Sequence, residues 1–262
     1  MNSFSSALWA EILKMRRSKV PLFTAIGFSF APLVGGLFMI ILKDPGQAQS
    51  MGLISAKAQL AVGVAEWATL FNLLAQATAV GGMIIFSVFT AWVFGREFSD
   101  HTAKELLALP TWRETIVGAK FVVVAAWTFI LTLLCYFLGL LIGQLVDIPG
   151  WSAGLLRSAS VDILGAGFLT ILLLPFVAYF ASAGKGYLPS FGWTILTVAL
   201  AQIVIITGWG DWFPWSVPAL FSGAAGPRAN LLGSYSYILL ILASAVGVFL
   251  TFSWWRNADQ TR

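Results

Sequence analysis

Residues 67–95 read WATLFNLLAQATAVGGMIIFSVFTAWVFG, and residues 96–120 continue REFSDHTAKELLALPTWRETIVGAK. The first stretch carries no charge over a length well beyond the roughly 20 residues that a helix needs to cross a hydrocarbon core. Lipid offers backbone N–H and C=O groups no partners, so a run of this kind satisfies itself as a helix. The second stretch turns abruptly polar and then apolar again. Together they read as a membrane helix, a connection in water and the start of another membrane helix.

Working outward, comparable runs lie at 20–42, 116–146, 163–183, 188–209 and 231–255, and Lys120 is the one charged residue inside any of the six. Composition agrees: 59% of the 262 residues are hydrophobic and 10% charged, where a soluble domain carries about 25% charged. The fold expected is a single all-α integral membrane domain over 1–262 with six transmembrane helices. Pro32 and Pro175 should kink their helices. Gly27, Ala31 and Gly35, and the Gly139/Gly143 pair, space small residues for close helix packing.

With the N-terminus inside, Lys43, Lys57, Arg157 and Arg228 fall outside and the other eleven of the 15 basic residues fall inside. That asymmetry fits the positive-inside rule, placing both termini in the cytoplasm and Trp151, Trp209, Trp212 and Trp215 at the outer headgroup level. The net charge of +4 is thereby explained by orientation rather than by nucleic acid. The first apolar run is long for a signal peptide, and no A-x-A site follows it.

Three segments are neither span nor plain loop. Residues 4–19 read as an interfacial amphipathic helix, with Phe4, Leu8, Ile12 and Met15 toward the bilayer and Glu11, Lys14 and Arg17 on another face. Residues 208–221, GWGDWFPWSVPALF, are too broken to span and too apolar for a free loop, so short re-entrant or interfacial segments are expected between helices five and six. In the 96–120 connection Ser99 or Asp100 caps a short helix that Pro110 ends, exposing Leu106, Leu107 and Leu109. Such a helix suits either a groove on a partner or the headgroup layer.

No catalytic chemistry assembles. There is no GxxxxGK(S/T) loop, and Gly184-Lys185-Gly186 lacks the upstream glycine. One histidine, His101, and one cysteine, Cys135, cannot build a His/Cys metal site in a monomer. Gly208–Asp211 and Pro218–Leu220 mimic intramembrane aspartyl protease motifs. The partner carboxylates on offer, Asp147 and Asp162, lack the expected preceding tyrosine, and the two motifs crowd on one broken segment. Gly27-Phe28-Ser29 has no histidine in the membrane to serve as base. Asn72, Gln76 and Thr78 are candidates to line a substrate path, or to hydrogen-bond between helices.

The connection resembles the first cytoplasmic loop of ABC-2 type permeases, particularly the subgroup linked to bacitracin and lantibiotic resistance. Glu97, Thr102, Lys104, Leu106, Leu107, Pro110 and Arg113 stand where that subgroup carries its acidic residue, threonine, lysine, paired leucines, proline and arginine. The bulky Trp112 departs from the pattern. Phe213–Leu220 also looks like the subgroup's signature before the last helix. The resemblance implies a coupling helix at 96–110, with Arg96, Glu97, Phe98, Thr102, Lys104, Leu106, Leu107, Pro110 and Arg113 contacting a separate ATPase subunit. ATP and Mg would be bound there, with no cofactor and no enzyme activity in this chain. It further implies a dimer of ATPases, a second permease copy or sister chain, and a bacterial plasma membrane location. The exported or removed compound would be amphipathic, such as a peptide antibiotic. Two other readings stay open: an ion-driven secondary transporter, disfavoured because Glu66 and Asp162 sit only at span edges, and a scaffold that recruits a cytosolic protein.

Overall fold

The computed structural model of the chain describes residues 3–44, 64–100, 102, 112–224 and 232–257, and there is no β-strand among them. In chain order the helices are α1 (Ser3–Arg17), α2 (Val20–Lys43), α3 (Trp67–Ser99), α4 (Arg113–Leu145), α5 (Ala153–Ala183), α6 (Leu188–Thr207), a short α7 (Val217–Phe221) and α8 (Ser234–Asn257). Six of these, α2 to α6 and α8, are long and apolar enough to cross a bilayer. The chain is an all-α, multi-pass membrane protein.

α3 and α5 form the centre: they bury 61% and 56% of their most apolar windows, against 33% or less for the other four. The outer helices turn continuous apolar faces outward, as α2 does with Leu22, Phe23, Ile26, Phe30, Leu33 and Leu37. An exposed stripe of this extent is stable only against lipid or another apolar surface. α2 and α4 pack side by side, α1 lies along α4, and the second half of α5 is embraced by α3, α6 and α8.

Close approach is made by small residues. Leu74 and Trp67 of α3 lie over Gly139 and Gly143 of α4, and a Cβ at either glycine would overlap them. Gly27 and Gly35 of α2 face Ile85 and Leu70 of α3. The GxxxG spacing therefore works as a packing seam. α3 widens into a π turn over Ala77–Gly81. α2 continues past Pro32, whereas α5 breaks between Ile171 and Leu174, where Pro175 cannot donate back to the preceding turn.

The fourth span starts at Ala153, nearly three turns before the expected 163, because Arg157 and Asp162 interrupt the apolar run without interrupting the helix. Ser152 caps it, its Oγ accepting from Leu155 N–H at 3.1 Å. At the end of the bundle far from the termini, Trp151, Trp209 and Trp212 are exposed. Trp215 does not join them: it turns inward to pack on Phe176 and Trp193 at 5.3 and 5.4 Å. Gly208, at φ +85°, ends α6 in the left-handed conformation that glycine adopts without penalty. Two 3₁₀ turns and α7 then fold back into protein, with Val217, Pro218, Ala219 and Leu220 buried. Non-regular backbone is tolerated at this depth because protein, not lipid, surrounds it.

Candidate functional site

An even number of crossings returns both termini, the 96–112 connection and the 184–187 turn to one end of the bundle. Lys120 stands on α4 near this end with no exposed surface. An ammonium in such a place needs counter-charge and acceptors. Its Nζ donates to Glu97 Oε1 at 2.7 Å, to the Val93 carbonyl at 2.8 Å and to Glu11 Oε2 at 3.2 Å. Lys14 closes the set, donating to Glu11 Oε1 at 2.6 Å and Glu97 Oε1 at 3.0 Å. Two carboxylates and two ammoniums from α1, α3 and α4 thus balance in a buried cluster. Burial alone would lower the Lys14 pKa, but the carboxylates of Glu97 and Glu11 outweigh it and hold the group above the ordinary lysine value.

This geometry corrects the place of one residue of α1, Glu11, which the sequence puts on the polar face. Glu11 lies three residues from Leu8 and four from Met15, in the middle of the stripe that faces inward. It is the buried residue of the helix, while Leu8, Ile12 and Met15 pack against the protein core and Trp9 is exposed. Part of the helix's apolar stripe packs on the protein, and Glu11 within it pairs with Lys120.

The expected coupling helix over 96–110 begins inside α3, which runs on to Ser99. Glu97 is 2% exposed and points into the ion cluster rather than outward. Phe98 packs between Trp254 and Trp255 of α8, at 5.4 and 5.7 Å. Arg96 lies over the Trp92 ring at 4.9 Å. Thr102 is exposed. Arg113, the first residue of α4, donates from Nη1 to the carbonyls of Trp255 and Arg256 at 3.3 and 3.2 Å. A cation at the C-terminal end of α8 is favoured by the helix dipole. Lys104, Leu106, Leu107 and Pro110 lie outside the described residues. The connection between α3 and α4 thus has two anchored feet: one held by α1, α4 and α8 through Glu97 and Phe98, the other by α8 through Arg113.

Sequence reading missed Glu11, Lys14 and Trp255 as members of this site. The available signal was Lys120 itself, since a lone charge inside a span implies a partner. The three path candidates separate. Asn72 is exposed and Gln76 half-buried, four residues apart on one side of α3, while Thr78 points inward with its Oγ1 4.0 Å from Cys135 Sγ. Beside Asn72 and Gln76, an apolar groove of about 350 Å³ runs between α2 and α3, lined by Phe30, Val34, Leu73 and Ala77 among others. Among the described residues no group of acidic, histidine or cysteine side chains is placed to hold a metal.

Residues 7–201 match the family described as ABC-2 family transporter protein. Over 179 residues, 68% of this chain and 85% of the relative, the sequence is 27% identical to the bacitracin transport permease protein BCRB of Bacillus licheniformis. No solved structure matches.

Proposed function

Because the chain belongs to the ABC-2 family of transporter proteins, in its bacitracin-permease-like subgroup, we propose that it is the membrane-spanning subunit of a transporter driven by ATP hydrolysis in a separate polypeptide. The observation that carries this reading is the two-footed connection between α3 and α4. Residues 103–111, with Leu106 and Leu107 as apolar anchors, seat in a groove of the ATPase. Closure of two ATPases around nucleotide pushes on that seat. The push passes through Glu97 to α1 and α4, and through Phe98 and Arg113 to α8. Rigid elements tied at both feet move as bodies, which is how a local event becomes a change of access.

Glu97 and Arg113, expected as contacts to the ATPase, act on this reading inside the permease instead. ATP and Mg bind in the ATPase. Two permease copies, or this chain and a sister, face each other across α2 and the exposed side of α3. Asn72 and Gln76 then look into the shared path beside the α2–α3 groove, whereas Thr78 packs against Cys135. The termini are cytoplasmic in a bacterial plasma membrane, as the basic residues argue. The compound moved outward or removed is amphipathic, in the manner the name of the bacitracin permease relative suggests. The charges of the buried cluster do not favour an ion-driven carrier, because they pair with one another at the end of the bundle.

The test is affinity purification of the detergent-solubilised protein from its own cells, comparing wild type with Leu106→Asp/Leu107→Asp. An ATPase should co-purify with wild type and be lost from the variant. Its absence from both, in preparations that keep other membrane complexes intact, would overturn the reading.

A further inference from the structure

On the end of the bundle that carries the termini, an open cleft of about 610 Å³ separates α1 from the last turns of α3 and the turn before α6. Among the described residues, Lys14, Arg17 and Arg96 line it against a single acid, Asp100. Lys14 is held by Glu11 and Glu97, so the two guanidinium groups are the cations left to face a ligand. Arg17 is exposed. Arg96 is steered by its place over Trp92, and its Nε is 4.0 Å from Asp100 Oδ2. Its Nη1 is nevertheless buried and without a hydrogen-bond partner among the described residues. That atom has no surface on the cleft; it is the exposed part of the guanidinium, on a side chain 24% accessible, that an anionic acceptor in the cleft would meet in a charge-assisted hydrogen bond.

We propose that this cleft is a binding site for the phosphate of an anionic phospholipid headgroup. Planar guanidinium forks match phosphate oxygens better than ammoniums do. The cleft also lies at the boundary where the apolar run of α2 begins. Trp92 and Tyr187, amphipathic rings of the kind that settle at headgroup depth, form part of its wall, and Leu13 adds an apolar edge. A free inorganic phosphate would use the guanidinium groups but gain nothing from this apolar rim; a lipid uses both. The site joins α1 to α3 beside the ion cluster, so an occupied cleft stiffens the first foot of the α3–α4 connection. The inference stands on the cleft and does not depend on the transport reading.

Native mass spectrometry of the full-length chain in detergent measures this directly. The probes are phosphatidylglycerol and phosphatidylcholine of the same acyl chains, with inorganic phosphate as competitor. Phosphatidylglycerol should be retained over phosphatidylcholine. Arg17→Gln/Arg96→Gln should weaken retention roughly thirtyfold, from the loss of two cations at the headgroup boundary. Arg17→Gln alone, on an exposed side chain, should weaken it about fivefold without risk to the fold. Arg157→Gln, at the opposite end, should leave it unchanged. Equal retention of the two lipids, or undiminished retention by the double variant, would overturn the site. Displacement of phosphatidylglycerol by an equal concentration of inorganic phosphate would overturn the lipid as its occupant.

Discussion

An ammonium with no exposed surface, carried on a helix that crosses a bilayer, must be neutralised where it stands, and Lys120 recruits Glu97 and Glu11 to do so. Removing one member of a buried ion pair strands the other and costs about 3–5 kcal/mol. Lys120→Met should therefore lower the melting temperature in detergent by roughly 10 °C. Glu97→Gln/Lys120→Met leaves Glu11 with Lys14, a balanced pair, so its loss should be well below the sum of the single losses; additive losses would argue against the cluster. Lys14 adds a pH signature. Its pKa is raised on folding, so its contribution is complete below the unfolded lysine value of about 10.4 and fades as pH climbs through the higher folded value. Melting temperature followed into alkaline solution should show that extra fall in wild type, and Lys14→Met should lack it. Lys120 was legible in the sequence as the single charge in six apolar runs. Its partners were not, because hydropathy does not say which distant carboxylate a tertiary fold brings near.

At the scale of elements, the seams are decided by size and the ends by charge. α3 and α4 approach through Gly139 and Gly143, against Leu74 and Trp67. Gly139→Leu forces a large side chain into an occupied space and should cost at least 1–3 kcal/mol. Gly192→Ala, where no atom stands within 4 Å of the added methyl, should be tolerated, and melting temperatures of the two variants check the contrast. Arg113→Gln removes the cation from the carbonyls at the end of α8 and should cost about 0.3–2 kcal/mol. Its sharper readout is faster hydrogen exchange in the last turn of α8. The spacing of small residues made the first seam readable. The start of α5 was not readable, since Arg157 and Asp162 break an apolar run although the helix carries both. Glu11 on α1 was misplaced for a related reason: a wheel sorted by polarity assigns it to water, whereas its pairing with Lys120 holds it inward.

For the whole molecule, lipid leaves so few options that composition and six apolar runs sufficed to indicate the architecture. The family likeness rested on the 96–113 connection and on the Phe213–Leu220 stretch, and the ABC-2 match agrees with it. What could not be read was the tertiary role of Glu97 and Arg113, which tie α3 and α4 to α1 and α8. On the proposed function, these ties carry the ATPase's stroke into the membrane. The most direct test of this claim is the ATP hydrolysis rate of the purified complex, for wild type and for Glu97→Gln/Lys120→Met, beside that of the ATPase alone. The variant should keep its ATPase bound yet lose the permease's control, so that hydrolysis falls to the rate of the free ATPase. An intact complex in which the variant still controls hydrolysis as wild type does would contradict the claim.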